Sequence, residues 1–255
     1  MEVIQSMLEH RTIRKYRPQP IPQLVLDKII EAGIRASTTG NMQVYSIIVT
    51  KDQANKEKVA PFHFNQPLVT QAPVLLTFCA DFNRFNKWCK ANKAVPGYDN
   101  FLSFFTASID ALLVAQNVAV AAESFGLGIC YLGTTTYNAH KLVDFYNLPK
   151  GVVPITTLAI GYPDEEPDLT DRLPVGAVVH EEMYHDYSDD DIAKLYREKE
   201  NLPLHKRLIE ENKTETLAQI FTEKRYPKKD NVAFSKLFLK LLEDQEFMND
   251  EEIDL

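Results

Sequence analysis

Several kinds of chemistry are missing from this chain at the outset. Its 255 residues contain only three cysteines, Cys79, Cys89 and Cys130. An odd count, at spacings that match neither zinc ligands nor a redox pair, argues against a disulfide framework. Reduced, buried thiols in a cytoplasmic protein are expected instead. Positive charge is in deficit: 28 Lys and Arg against 36 Asp and Glu leave a formal charge of -8. That balance argues against general attraction to nucleic acid or to an anionic membrane. No G-x-S-x-G, H-E-x-x-H or P-loop motif occurs, which removes the usual hydrolase, zinc-peptidase and nucleotidase signatures. His180, Glu181, Glu182 and His185 are too sparse to make a metal site, and no metal is expected.

Two further absences concern membranes and export. The stretch from Glu2 to His10 is mixed and amphipathic, without the apolar h-region of a secretion signal. The run from Phe101 to Ala122 is long enough to cross a bilayer, but Asp110, Gln116 and Asn117 interrupt it. A charge at the bilayer centre costs about 3 kcal/mol on the most lenient scale, so the run is expected to be a core helix.

What the chain does have is a 45% hydrophobic content, enough to close a sizeable core. Periodicity predicts helices over Val3–Glu9, Leu24–Ala36, Gln53–Val59, Phe101–Phe125 and Ala139–Phe145. Apolar and β-branched runs predict strands over Val44–Thr50, Val74–Asp81, Ile129–Thr134, Thr156–Gly161 and Ala177–His180. The alternation describes an α/β or α+β layer built on a central sheet, with the Phe101 helix against it. After Tyr187 the composition turns to charged helical segments, Asp189–Asn201, Thr214–Lys224 and Phe234–Phe247. The expected organisation is therefore a core over residues 1–188 and a helical excursion over 189–255. Leu217, Ile220, Phe221, Phe234, Leu237, Leu241 and Phe247 give that excursion an apolar stripe that must pack on the core or on a second subunit.

Four segments could carry chemistry. From Arg11 to Leu26 there is no acid, while Arg11, Arg14, Lys15 and Arg17 crowd together beside His10. Arg11 and Arg14 are spaced to face one way and grip a phosphate with forked donors, although a solvated basic face has the same composition. Ser37, Thr38, Thr39 and Gly40 form a small-residue turn through which backbone amides can approach a flat polar ligand; a plain helix stop explains it equally. Gly126 and Gly128 precede a strand instead of opening a helix, which disfavours a dinucleotide fingerprint. Gly133 and Thr134 end that strand. Finally, Gly161-Tyr162-Pro163 leads to a proline-framed arginine, Arg172.

In this order and at these separations, the four segments resemble the nitroreductase family, and within it the subgroup of larger NADPH-dependent nitro and flavin reductases. The resemblance covers about residues 4–187. It implies an α+β fold, with a mixed central sheet flanked by helices and a C-terminal helical excursion. It also implies an FMN cofactor, and it assigns His10, Arg11, Thr12 and Arg14 to the FMN phosphate and ribityl chain. Thr38, Thr39 and Gly40 match the family's serine-rich turn, with Met42-Gln43 after it, and Gln66 looks like the glutamine on the isoalloxazine ring. Tyr131, Leu132, Gly133 and Thr134 match a Y-I-G-G segment on the flavin, and Arg172 matches a phosphate arginine. Two positions depart from the pattern: Thr170 stands where a phosphate lysine is usual, and Thr134 replaces a glycine at the flavin edge.

The activity implied is ping-pong transfer of hydride from NADPH or NADH, through FMN, to nitroaromatic, quinone or flavin acceptors. The flavin does the redox chemistry, which accounts for the lack of any catalytic side-chain signature. Lys224, Arg225, Lys228 and Lys229 are candidates to bind the nicotinamide nucleotide. The implied assembly is a homodimer with FMN at its interface. Reductive dehalogenation, flavin fragmentation and a flavin sensor or carrier without turnover stay open as alternatives.

Overall fold

A computed structural model describes residues 3–249. They divide into two compact units, one of Met1–Asp168 with Ser235–Leu255 and a smaller one of Leu169–Phe234. These units do not coincide with a division at residue 188.

In the larger unit, β1 (Tyr45–Thr50), β2 (Val74–Asp81), β3 (Gly128–Leu132) and β4 (Val152–Gly161) form one sheet in the order β1-β2-β4-β3. Each neighbouring pair of strands is antiparallel. The one parallel element among the described residues is the isolated bridge between Thr12 and Ile129. Every residue of β2 is buried, which is why its sequence is mostly apolar, broken only by Thr77 and Asp81, and does not alternate. β4 begins four residues before the predicted start. Its register with β2 jumps from Phe78–Thr156 to Cys79–Pro154, leaving Ile155 as a bulge. Pro154 has no N–H for the ladder, and a bulge is where a central strand tolerates that loss.

Helices α1 (Val3–Leu8), α2 (Gln23–Gly33), α3 (Gln53–Val59), α4 (Pro67–Gln71), α5 (Asn83–Ala91), α6 (Phe101–Ser124) and α7 (Ala139–Tyr146) surround the sheet. α6 opens on a side-chain cap, with Asn100 accepting from the Ser103 amide. It packs on the sheet and on α2, placing Ala107, Ala111, Val114, Ala115, Val118 and Ala119 inside. It is long and apolar enough to cross a membrane by length and composition. Its other face leaves Phe101, Leu102, Phe105, Ile109, Leu112 and Leu113 exposed. α5 was not apparent from sequence because only a narrow side of it, around Phe85 and Cys89, is apolar and turned inward.

In the smaller unit, α8 (Asp189–Asn201) starts with a reciprocal Ser188–Asp191 capping box. α9 (Pro203–Asn212), which the sequence reading missed, follows a proline at its first turn. The predicted Thr214–Lys224 helix is instead a short α10 (Leu217–Gln219) continued by a π-helical segment, Ile220–Arg225. α11 (Lys228–Asp244) begins six residues earlier than predicted, runs from the smaller unit into the larger, and ends before Phe247. There Leu241, Leu242 and Phe247 join Phe82 and Phe104 in a core cluster of the larger unit.

The predicted strand Ala177–His180 does not form. A 3-10 turn, Val175–Ala177, stands there, followed by irregular chain. Two valines alone do not make a strand when no partner edge is offered, since strand preference is largely a matter of pairing and burial.

The segment from Thr12 to Arg17 lies along the ends of β3 and β4. The Ile13 amide donates to the Ile129 carbonyl at 2.9 Å, and the Arg17 amide to the Tyr162 carbonyl at 2.9 Å. The buried Tyr16 hydroxyl donates to the Ile13 carbonyl, 2.7 Å away, with the Ala159 carbonyl at 3.1 Å. This approach depends on Gly128: a Cβ there would stand 2.5 Å from Ile13 Cγ1, 2.7 Å from its Cβ and 2.9 Å from its Cγ2. A β-branched, buried side chain cannot yield at three atoms. Gly128→Ala is therefore expected to lower stability by roughly 1–3 kcal/mol, seen as a fall in the urea midpoint. Gly133→Ala meets nothing within 4 Å and is expected to stay within about 0.5 kcal/mol of the parent.

Candidate functional site

The basic segment is shaped by acids around it. His10 Nδ1 lies 2.5 Å from Glu123 Oε1, on the last turn of α6. The carboxylate only accepts, so Nδ1 carries the hydrogen and Nε2 is the end left for another partner. Glu165 Oε1 accepts from two successive backbone amides, Arg14 at 2.5 Å and Lys15 at 3.0 Å. The acid thus fixes the turn, and the side chain of Arg14 remains exposed. Arg11 is half-buried, with Nη1 on the Glu9 carbonyl at 3.3 Å, while its buried Nε has no acceptor among the described residues. A cavity of about 560 Å³ opens here, lined by His10, Arg11, Arg17, Glu123, Gly128 and Glu165 among others.

At the far end of β3 a second group converges. Tyr131 donates its hydroxyl to Gln116 Oε1 of α6 at 3.2 Å, and burial together with Glu123 pushes its phenol above the ordinary range. Leu132 is buried beneath, and Gly133–Thr135 turn as a 3-10 helix with open space over Gly133. Thr134 Oγ1 stands 2.9 Å from His63 Nδ1 and 3.5 Å from Gln66 Nε2. Sequence separations of about seventy residues are closed here, so Gln66, Gly133 and Thr134 form one cluster.

Thr38, Thr39 and Gly40 are held elsewhere, on α6. The Thr39 amide and hydroxyl both reach Asp110 Oδ1, at 3.0 and 3.2 Å. Asp110 is 1% exposed, and its other oxygen has no partner among the described residues. The turn has left-handed backbone at Gly40, Asn41 and Gln43, and Arg84 closes it by donating to the Gln43 and Tyr45 carbonyls. In the smaller unit, Arg172 folds back on the Thr170 and Asp171 carbonyls, at 3.2 and 3.0 Å. Lys224 and Arg225 lie on the π-helical segment and Lys228 opens α11. The Arg225 guanidinium sits over the Phe221 ring, 5.7 Å from its centroid.

The family model of the nitroreductases matches residues 7–162, which include three of these clusters. The chain belongs to the nitroreductase family. A Bacillus subtilis (strain 168) relative named FMN reductase (NAD(P)H) is 37% identical over 72% of this chain and 74% of its own. Another, the oxygen-insensitive NADPH nitroreductase of Salmonella typhimurium, is 34% identical over 75% of this chain and 78% of its own. A crystal structure of a Bacteroides fragilis protein described as an oxidoreductase superposes with a TM-score of 0.95 at 53% identity, covering 96% of this chain and 100% of that one.

Within this site the clamps were harder to foresee than the residues they hold. Asp110 had a signal, being the one acid in the first twenty-two residues of an apolar helix, yet that signal equally described a barrier to membrane insertion. Glu123 and Glu165 are ordinary acids in sequence. His63 had no signal at all. It is 1% exposed, and burial pushes its imidazole down to about 4. Its unfolded value is near 6.5. The unfolded chain therefore takes up a proton that the folded one refuses, so stability is full above about pH 6.5 and falls as the pH drops towards 4. By pH 4 the loss is expected to reach about 3 kcal/mol. Denaturant melts of the parent and His63→Gln between pH 4 and 7.5 measure this: the variant is expected to have the shallower pH slope, and parallel slopes refute the assignment.

Proposed function

We propose that the chain is an FMN-dependent oxidoreductase passing hydride from NAD(P)H to small flavin, quinone or nitroaromatic acceptors. The observation that carries this reading is the buried Arg11 Nε, a charged donor with no acceptor among the described residues. Leaving such a donor unpaired costs on the order of 1–3 kcal/mol or more, and an anion in the adjoining cavity removes that cost. Two further features fit the same group. Arg14, three residues along the segment, has an exposed guanidinium, and the backbone at Gly133 is open to a flat ring because nothing packs within 4 Å of where a side chain would begin.

On this reading His10, Arg11, Thr12 and Arg14 hold the phosphate and ribityl chain. Gln66, with Tyr131, Leu132, Gly133 and Thr134, holds the ring. The Thr38, Thr39 and Gly40 turn, pinned by Asp110, supplies further backbone donors. When bound, FMN supplies the redox chemistry, taking hydride from the nicotinamide and giving it to the second substrate in ping-pong order. The protein's part is placement: fixed donors on a rigid sheet layer, and a glycine that keeps one approach clear. Lys224, Arg225 and Lys228 are assigned to the extra phosphate that distinguishes NADPH from NADH.

The exposed apolar face of α6, where Phe101, Leu102, Phe105, Ile109, Leu112 and Leu113 are each at least 42% exposed, supports a homodimer. So does the short α1 beside it, with Val3, Ile4, Met7 and Leu8 outward. A second copy is the natural cover for a contiguous apolar patch on a soluble, cytoplasmic protein.

Purified protein is expected to retain FMN through gel filtration, to show two visible flavin bands, and to lose them under argon faster with NADPH than with NADH. Arg14→Gln is expected to weaken FMN retention about ten- to a hundredfold. Folded protein that keeps no FMN when it is offered in excess ends this reading. Light scattering without detergent is expected to give twice the chain mass of 29.1 kDa; a monomer at micromolar concentration rules out the dimer.

A further inference from the structure

His63 is a buried imidazole for which hydride transfer has no use, and its surroundings give it another one. It ends the 3-10 turn Ala60–His63 and is followed by two non-glycine residues in left-handed backbone, Phe64 (φ 54°) and Asn65 (φ 53°). Such residues cost on the order of 1–2 kcal/mol each, so the turn must be held by its contacts. Two bonds run to one atom: the Gln66 amide reaches the His63 carbonyl at 3.2 Å, and Gln66 Nε2 reaches it at 3.1 Å. Thr134 Oγ1 completes the group, 3.5 Å from Gln66 Nε2 and 2.9 Å from His63 Nδ1. Asn138 ties the neighbouring Phe62 carbonyl to the start of α7 at 2.8 Å.

The direction of each bond follows from what the atoms can do. A peptide carbonyl only accepts, so the Gln66 atom resting on the His63 carbonyl is the amide nitrogen and not the oxygen. Both hydrogens of that nitrogen have acceptors, His63 O and Thr134 Oγ1. With its lone pair engaged by Gln66, the Thr134 hydroxyl can give its own hydrogen to Nδ1 of the neutral imidazole. Gln66 Oε1 has no hydrogen-bond partner among the described residues. A glutamine free to turn over could offer either end of its amide, whereas this one is fixed to offer an acceptor.

We propose that His63 is a positioning residue which, through the Thr134 hydroxyl, locks Gln66 so that it offers the cofactor ring a hydrogen-bond acceptor, and the ring edge it selects is therefore an N–H. This rests on the flavin reading above. An oxidised isoalloxazine has one N–H, at N3, and that position is the one the lock selects. Thr134, which replaces the glycine of the family pattern, is then a working part of the site and not mere crowding at its edge.

The test compares FMN with 3-methyl-FMN, which lacks that hydrogen, by flavin fluorescence titration of the full-length chain freed of cofactor. The parent is expected to bind FMN about three- to tenfold more tightly than the methylated analogue, the range of one neutral hydrogen bond. Thr134→Ser, which keeps the hydroxyl, is expected to preserve that ratio. Thr134→Val, nearly isosteric, and His63→Gln are expected to bring it within about twofold of unity. Without any cofactor, the Gln66 carboxamide hydrogens are expected to exchange with water at least about fivefold faster in Thr134→Val than in the parent, by nuclear magnetic resonance. Should His63→Gln fail to fold, the valine and serine variants decide the matter. A parent ratio near one, or a valine variant that discriminates and exchanges like the parent, overturns the lock while leaving the flavin reading intact. Failure of the parent to bind FMN at all removes both.

Discussion

Irregular chain near a core is expensive unless its polar groups find partners, and the site loops of this protein meet that demand with single buried side chains. Asp110 takes the amide and hydroxyl of Thr39. Tyr16 bridges two carbonyls beneath the basic segment. His63 and Thr134 share one bond under Gln66. Asp110 lies on α6, and Thr134 follows the end of β3, so positional precision passes from the regular layer to loops that have no ladder of their own. This is how a site built largely from turns can be held firmly.

The same arrangement shows why the fold was more legible than the machinery. β2 announced itself as a mostly apolar run because both its faces are covered, and α6 because eleven of its residues are buried. The cationic segment stood out against an acidic chain, and the small-residue turn and the Gly133–Thr134 strand end stood out by their residue types. What could not be read were elements set by tertiary pairing. The Ala177–His180 run had the composition of a strand and no edge to join. Val152-Val153-Pro154 had a proline that masked a strand, and only the bulge at Ile155 explains how it fits. His63 was invisible because a lone histidine in a loop says nothing until a threonine seventy-one residues away is found beside its ring.

The smaller unit follows a different economy. Two of its helices begin on local side-chain caps, with Ser188 and Thr216 each closing a reciprocal box. Local signals of that sort are readable, and α8 was placed correctly. The π-helical segment at Ile220–Arg225 was not, since a widened turn has no compositional mark. It puts Phe221, Tyr226 and Arg225 side by side, the two rings stacked with centroids 6.5 Å apart and the guanidinium over one of them. A cation placed so is partly satisfied by a ring face and keeps its hydrogen-bond donors for other use.

The strip of chain laid against Ile129 also does something unconnected with cofactors. β3 is an outer strand of the sheet, and an open strand margin is a template on which foreign chains can polymerise. By giving its Ile13 amide to the Ile129 carbonyl, the basic strip occupies part of that margin, and its cluster of like charges discourages further addition. With Thr12 bridged to Ile129 as well, less of that outer strand is left open for another chain to pair with.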